Sequence, residues 1–314
     1  MTNGAPVPPT RSGILFIDKP TGLTSHDVVA RVRKRAGTRK VGHAGTLDPM
    51  ATGLLTIGIN SSTRLLTFLV GLDKEYLATI RLGESTNTED AEGETVALAD
   101  PDTVAAITAE HIRAAIEPLT GDISQIPSSV SAIRVDGRHA YELARAGETV
   151  VLTAREVTIA AFDVLEVHTV TGERDGAAAT WIDVDVRVEC SSGTYIRALA
   201  RDLGDALGVG AHLTALRRSR VGPFSLDEAT TLEDLDPDVH LAAPNMVAGR
   251  LFPHARLDAE QVLMLSQGKR LTGLAPEGGP IAALGPDGRL VGLIQVTEGV
   301  AKPIVNFPTN EVLG

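Results

Sequence analysis

The sequence predicts an α+β fold in which a mixed, largely antiparallel sheet is flanked by helices, and three stretches carry the prediction. Residues 179–190 alternate, with Ile182, Val184, Val186, Val188 and Cys190 on one side and Asp183, Asp185, Arg187 and Glu189 on the other. That is the pattern of an antiparallel strand with one wet face. Between strand-like runs lie segments of helical spacing, the first at 25–36 with Val28, Val29 and Val32 on one face. Past Leu251 the character changes: 257–268 reads as a helix capped by Asp258 and closed by Gly268, and 281–284, a turn at 285–288 and 290–296 read as strand, turn and strand. The expected organisation is a disordered stretch at 1–12, a main domain at 13–248 with an insertion at about 124–150, and a small C-terminal β-domain at 249–314.

A chain of 314 residues that is 43% hydrophobic is long enough to bury a full core. No apolar run reaches the ~20 residues of a membrane span, and 1–10 lack the basic flank and apolar stretch of a signal peptide. Cys190 is the sole cysteine, which excludes an internal disulfide and a thiolate metal cluster and points to the cytoplasm. The eight histidines show no His-Glu-x-x-His spacing, no Gly-x-x-x-x-Gly-Lys-Ser/Thr occurs, and the run from Gly204 to Gly210 misses the dinucleotide fingerprint. Neither a metal nor a nucleotide cofactor is expected.

The net charge of −11 argues against a nucleic-acid partner until its distribution is examined. Residues 11–81 carry eleven Lys or Arg against five Asp or Glu, a local balance of +6, so the remainder sums to −17. Seven acids and no base lie between Gly83 and Thr103, and six more acids between Asp227 and Asp238. What a phosphate meets is the potential within a Debye length, ~8–10 Å in ordinary salt.

In chain order, 13–20 reads as a short buried strand ending at Pro20, and Ser25 as the cap of the helix running to about Ala36. Arg31, Arg33, Lys34, Arg35, Arg39 and Lys40 cover the other faces and the end of that helix and form, as a group, a phosphate-contacting patch. A strand is expected at 54–59, a short helix at 63–70 and a strand at 75–82 with Tyr76, Ala78, Ile80 and Leu82 on one face. The acidic stretch 84–102 reads as a surface loop or flap, followed by a helix at about 109–119. The strand 179–190 runs into a helix with Ile196, Leu199, Ala200, Leu203, Ala206 and Leu207 at helical spacing. Arg197 lies near its start, where the helix dipole disfavours a cation, and so calls for an acidic partner.

The stretch around which these elements are arranged is Gly42-His43-Ala44-Gly45-Thr46-Leu47-Asp48-Pro49-Met50-Ala51-Thr52-Gly53, a glycine-punctuated loop ending on one carboxylate. An Asp-Pro pair alone is an ordinary helix cap, with proline at the first helical position. With Leu54 and Leu55 added, the stretch resembles the catalytic-loop signature of the TruB family, the bacterial tRNA pseudouridine-55 synthases. Asp18-Lys19-Pro20-Thr21-Gly22-Leu23-Thr24-Ser25 resembles the family's first motif, Gly193-Thr194-Tyr195-Ile196-Arg197 a later one, and 213–218 another. The blocks span 13 to about 224, and the tail resembles a small PUA-type RNA-binding barrel.

The resemblance implies a pseudouridine synthase fold and an isomerase acting, as a monomer, on the T stem-loop of tRNA. It makes Asp48 the residue on which the chemistry depends, pairs Arg197 with that acid, and stacks Tyr76 on the target base. It has Tyr195 and Leu216 line the pocket, His43 hold the extruded nucleotide, and Lys19 belong to a segment that is either packing or substrate-binding. The family often carries Lys where Ser192 stands here, and it has an insertion that clamps the stem-loop, matched by 125–132 and 137–147 with Arg134, Arg138, His139 and Arg145. A non-catalytic RNA-binding or ribosome-assembly protein on the same fold is the alternative, as is a synthase guided by accessory RNA and proteins. A carboxylate-dependent hydrolase usually needs a second catalytic acid, and none is placed beside Asp48 in the sequence.

Overall fold

The computed structural model describes residues 11–128, 134–135, 138–139, 152–174, 176–274, 276–308 and 312–313. The chain divides into two compact units, the first made of Met1–Pro49, Gly53–Val70 and Pro223–Gly314, the second of Met50–Thr52 and Gly71–Gly222. Of the stretch expected to be disordered, 1–10 lie outside the described residues, whereas Arg11 and Ser12 already belong to the first strand.

The first unit opens with β1 (Arg11–Lys19) and helix α1 (Ser25–Ala36). The helix is capped by Thr24 rather than Ser25: the Thr24 hydroxyl accepts from the Asp27 N–H while the Asp27 carboxylate accepts from the Thr24 N–H. That reciprocal box satisfies two otherwise orphaned donors. Strand β2 (Val41–Ala44) and β1 both pair antiparallel with β3 (Thr52–Ile59), one on each side. A 3-10 turn over 60–65 followed by α2 (Leu66–Val70) replaces the single helix expected at 63–70.

In the second unit the chain forms β4 (Lys74–Leu82), β5 (Glu84–Thr86), β6 (Thr95–Leu98), α3 (Pro101–Ala105), α4 (Ala109–Ile116) and β7 (Gly121–Gln125). Then come a short pair β8 (Arg134–Val135) and β9 (Arg138–His139), the long hairpin β10 (Arg155–Arg174) and β11 (Ala177–Cys190), helix α5 (Ile196–Ala206) and β12 (Ala211–Val221). Strands β12, β4, β11, β10 and β7 lie side by side in that order, each antiparallel to the next. The alternation read at 179–190 is realised: Ile182, Val184, Val186, Val188 and Cys190 are buried. Burial pushes the Cys190 thiol up to about 11, which disfavours the thiolate at neutral pH. The acidic stretch is not a plain loop, since β5 and β6 form a hairpin and α3 follows it.

Helix α5 buries Ile196, Ala198, Leu199, Ala200 and Leu203 and packs on β12. The two approach so closely at Gly204 that an added Cβ would run into the backbone of Gly210 and Ala211. Gly204→Ala is therefore expected to destabilise the protein by ~1–3 kcal/mol, the cost of overpacking a filled contact. The midpoint of urea unfolding reports it, and an unchanged midpoint would mean that the helix is free to slide.

The chain then returns to the first unit through β13 (Phe224–Ser225), α6 (Pro237–His240) and α7 (Pro244–Leu251). There follow β14 (His254–Arg256), α8 (Ala259–Ser266), β15 (Leu271–Thr272), β16 (Gly278–Leu284), β17 (Leu290–Thr297), β18 (Val300–Asn306) and β19 (Val312–Leu313). Strands β14, β16, β17, β18 and β15 make a small sheet over a core of Val262, Leu265, Ile281 and Ile294. Asp258 caps α8 as the sequence predicts, in a box with Gln261. Parallel pairs β1–β19 and β14–β16 make an otherwise antiparallel architecture mixed. Among the described residues no helix is long and apolar enough to cross a membrane.

Candidate active site

The glycine-rich stretch is partly strand: His43 lies on β2, and only 45–51 form a loop. Gly45 (φ +73°) takes the chain out of β2 and Gly53 (φ +99°) brings it into β3, both in left-handed backbone that favours glycine. At Pro49 and Met50 the chain bends instead of winding into a helical turn, so half-buried Asp48 does not start a helix. The His43 ring meets the His26 ring edge-on, with centroids 5.5 Å apart.

Both neighbours of Asp48 are held. The Ser25 hydroxyl bonds the N–H and the C=O of Leu47, at 2.9 and 3.1 Å. The Pro49 carbonyl accepts from the Gly22 N–H at 2.8 Å and from the Lys19 ammonium at 3.2 Å. Lys19 also donates to the carbonyls of Pro20 (3.0 Å) and Leu23 (2.6 Å). It is wholly buried. Burying a cation requires partners, and backbone carbonyls supply them. The first motif is thus a bracket for the loop.

The basic patch separates into two kinds of residue. Arg33 donates to the Val41 carbonyl and Arg35 to those of Glu233 and Leu235, so these two tie α1 down. Arg31, Lys34, Arg39 and Lys40 are exposed and can meet phosphate.

In the second unit Tyr76 is buried on β4, directly opposite Arg218 of β12, and Leu216 lies opposite Ala78 on the same face. Tyr76 and Leu216 are therefore diagonal neighbours across β4 and β12. Beside them Lys74 is pushed down to about 8 by burial, with the Arg218 charge adding to the effect. The backbone of half-buried Tyr195 is gripped by Gln125, which accepts from its N–H at 2.9 Å and donates to its carbonyl at 3.1 Å.

Buried Arg197 has an acidic neighbour in Asp90, whose Oδ2 lies 3.5 Å from its Nη1, with the Thr88 carbonyl at 2.8 Å and the Ser128 hydroxyl at 3.2 Å. One turn on, Arg201 pairs with Glu89 at 2.8 Å and donates to the Ile126 carbonyl at 2.8 Å. Glu89 holds left-handed backbone (φ +62°), a strained conformation for a side-chain-bearing residue. Sequence reasoning missed Asp90, Gln125 and Ser25. For Asp90 the available signal was the unbalanced Arg197 itself. Of the clamp-like insertion, Arg134, Arg138 and His139 fall on β8 and β9, while Arg145 and most of 129–151 lie outside the described residues. One group among the described residues could share a metal ion, Glu166, His168 and Asp185 on the β10–β11 hairpin, and it is largely exposed.

Residues 33–196 match the N-terminal domain of TruB family pseudouridylate synthases, 197–253 the tRNA pseudouridylate synthase B C-terminal domain, and 252–308 the C-terminal part of tRNA pseudouridine synthase II. The chain belongs to the TruB family. As a TruB protein it is a pseudouridine synthase, an isomerase. It is 55% identical to the tRNA pseudouridine synthase B of Arthrobacter sp. (strain FB24), over 96% of this chain and 99% of that one. It is 55% identical to the protein of the same name from Leifsonia xyli subsp. xyli (strain CTCB07), over 96% and 98%. Among solved structures, a Cbf5-Nop10-Gar1 complex contains a chain 26% identical, with a TM-score of 0.67 over 95% of this chain and 84% of that one. TruB membership bears out the pseudouridine synthase fold, including the small C-terminal domain.

Proposed function

We propose that this chain converts the uridine at position 55, in the T-loop of tRNA, to pseudouridine, and that Asp48 is the residue on which bond breaking depends. The observation that carries the reading is the bracketed loop: the peptides on either side of Asp48 are fixed by Ser25, Gly22 and Lys19, as a group that must meet a reacting atom requires. The reaction breaks the N1–C1′ bond, turns the base and joins C5 to C1′, while the C5 proton is lost and N1 gains one. Nothing is oxidised or reduced, so no redox cofactor is required. An ionised carboxylate can start it by attacking C1′, by attacking the base ring, or by removing a sugar proton.

The target base must leave the stack, at a cost of a few kcal/mol. Tyr76 offers an aromatic face in return, worth ~1–3 kcal/mol. Tyr195 and Leu216 exclude water from the detached uracil, His43 holds the distorted backbone, and Arg197 supplies a fixed positive charge during the reaction. The exposed cations Arg31, Lys34, Arg39 and Lys40 grip phosphates, which sets affinity without reading sequence. The enzyme acts in the cytoplasm, as a monomer and without a guide. Mass-spectrometric mapping of pseudouridine in one tRNA transcript treated with the pure protein tests the reaction, its position and its independence of a guide. Modification of that one uridine is expected, whereas an unmodified transcript would favour a guided or purely RNA-binding protein.

A further inference from the structure

Because Thr24 and Asp27 form the cap of α1, Ser25 is released from that task. It occupies the first helical position, buried, and its hydroxyl accepts from the Leu47 N–H and donates to the Leu47 C=O. Among the described residues these two backbone groups have no other partner. The Leu47 side chain is itself buried, so both its place and the rotation of its peptide planes are fixed. The plane joining Leu47 to Asp48 sets the direction in which the Asp48 side chain leaves the backbone. A hydroxyl anchored in a helix is a rigid way to hold it.

We propose that Ser25 is a positioning residue for Asp48, acting through Leu47. This rests on the reading of Asp48 as the residue that reacts. Without the hydroxyl, two buried backbone groups must find new partners, and the loop turns to reach them. A displacement of about 1 Å at a reacting group can cost on the order of a hundredfold in rate.

Ser25→Ala, Ser25→Cys and Asp48→Asn are compared in single-turnover conversion of a tRNA transcript and in tRNA dissociation constant. Alanine suits an early helical position and leaves the Thr24–Asp27 box intact. Cysteine keeps the shape of serine with a somewhat larger atom that bonds weakly, and carries the test should the alanine variant not fold. The expected result is a roughly hundredfold slower conversion by both Ser25 variants, at unchanged tRNA affinity and melting temperature. A wild-type rate in either variant overturns the proposal, as does a loss that appears in affinity rather than in conversion. Asp48→Asn separates the two levels: if it converts uridine normally the underlying reading fails, and if it is dead while Ser25→Ala is normal only the positioning role fails.

Discussion

Asp48→Asn is expected to reduce pseudouridine formation by about four orders of magnitude or more, while tRNA binding stays within about tenfold of wild type. The amide keeps the size of the carboxylate but is neither a nucleophile nor a base, so every route open to Asp48 closes together. Affinity survives because it comes from phosphate contacts, and the exposed cations at α1 and its end, Arg31, Lys34, Arg39 and Lys40, are untouched. Tritium release from C5-labelled uridine gives the first quantity and filter binding the second. Full activity would move the chemistry to another residue, and joint loss of binding and activity would make Asp48 a docking group.

Arg197→Lys is expected to lower kcat by about a hundredfold or more, because a point charge does not replace a planar fork. The guanidinium meets three acceptors from two places at once: the Thr88 carbonyl and Asp90 from the turn after β5, and the Ser128 hydroxyl from the segment after β7. A lysine ammonium on a shorter reach cannot hold that convergence, although it keeps a positive charge beside buried Asp90 and so avoids stranding the acid. The melting temperature is therefore expected to change far less than the rate, and tRNA affinity hardly at all. Wild-type turnover would reduce Arg197 to a strut between α5 and the hairpin, and a collapse of the melting temperature would point to the same conclusion.

The local patterns were readable because each is written in a few adjacent residues. Period-two alternation marked β11, and Asp258 as a capping residue marked the start of α8. Thr24 with Asp27 carried the same mark, yet the hydroxyl next door in Ser25 offered an equally good cap, and the choice fell one residue late. What stayed illegible is tertiary. Asp90 is one acid among seven between Gly83 and Thr103, and only the fold brings it to Arg197. Two of the six basic residues at α1 serve the scaffold, because Val41 and the 233–235 segment happen to present carbonyls to Arg33 and Arg35. Lys19 shows the limit most plainly, since a lysine in an RNA-binding protein invites a phosphate and this one is enclosed by backbone oxygens.

Strand β1 exchanges backbone hydrogen bonds with Ala242 and Thr230, and its first residues pair with β19. Those partners leave the ribosome more than two hundred residues after it, whereas Gly71–Gly222, the bulk of the second unit, is one uninterrupted length of chain. During synthesis the second unit, complete before Pro223–Gly314 is made, can close first, and the earliest-made strand must wait with an open edge until the C-terminal segments arrive to cover it. The bracket around Asp48 hangs from that strand through Lys19, so the loop that carries Asp48 is among the last parts of the molecule to be set.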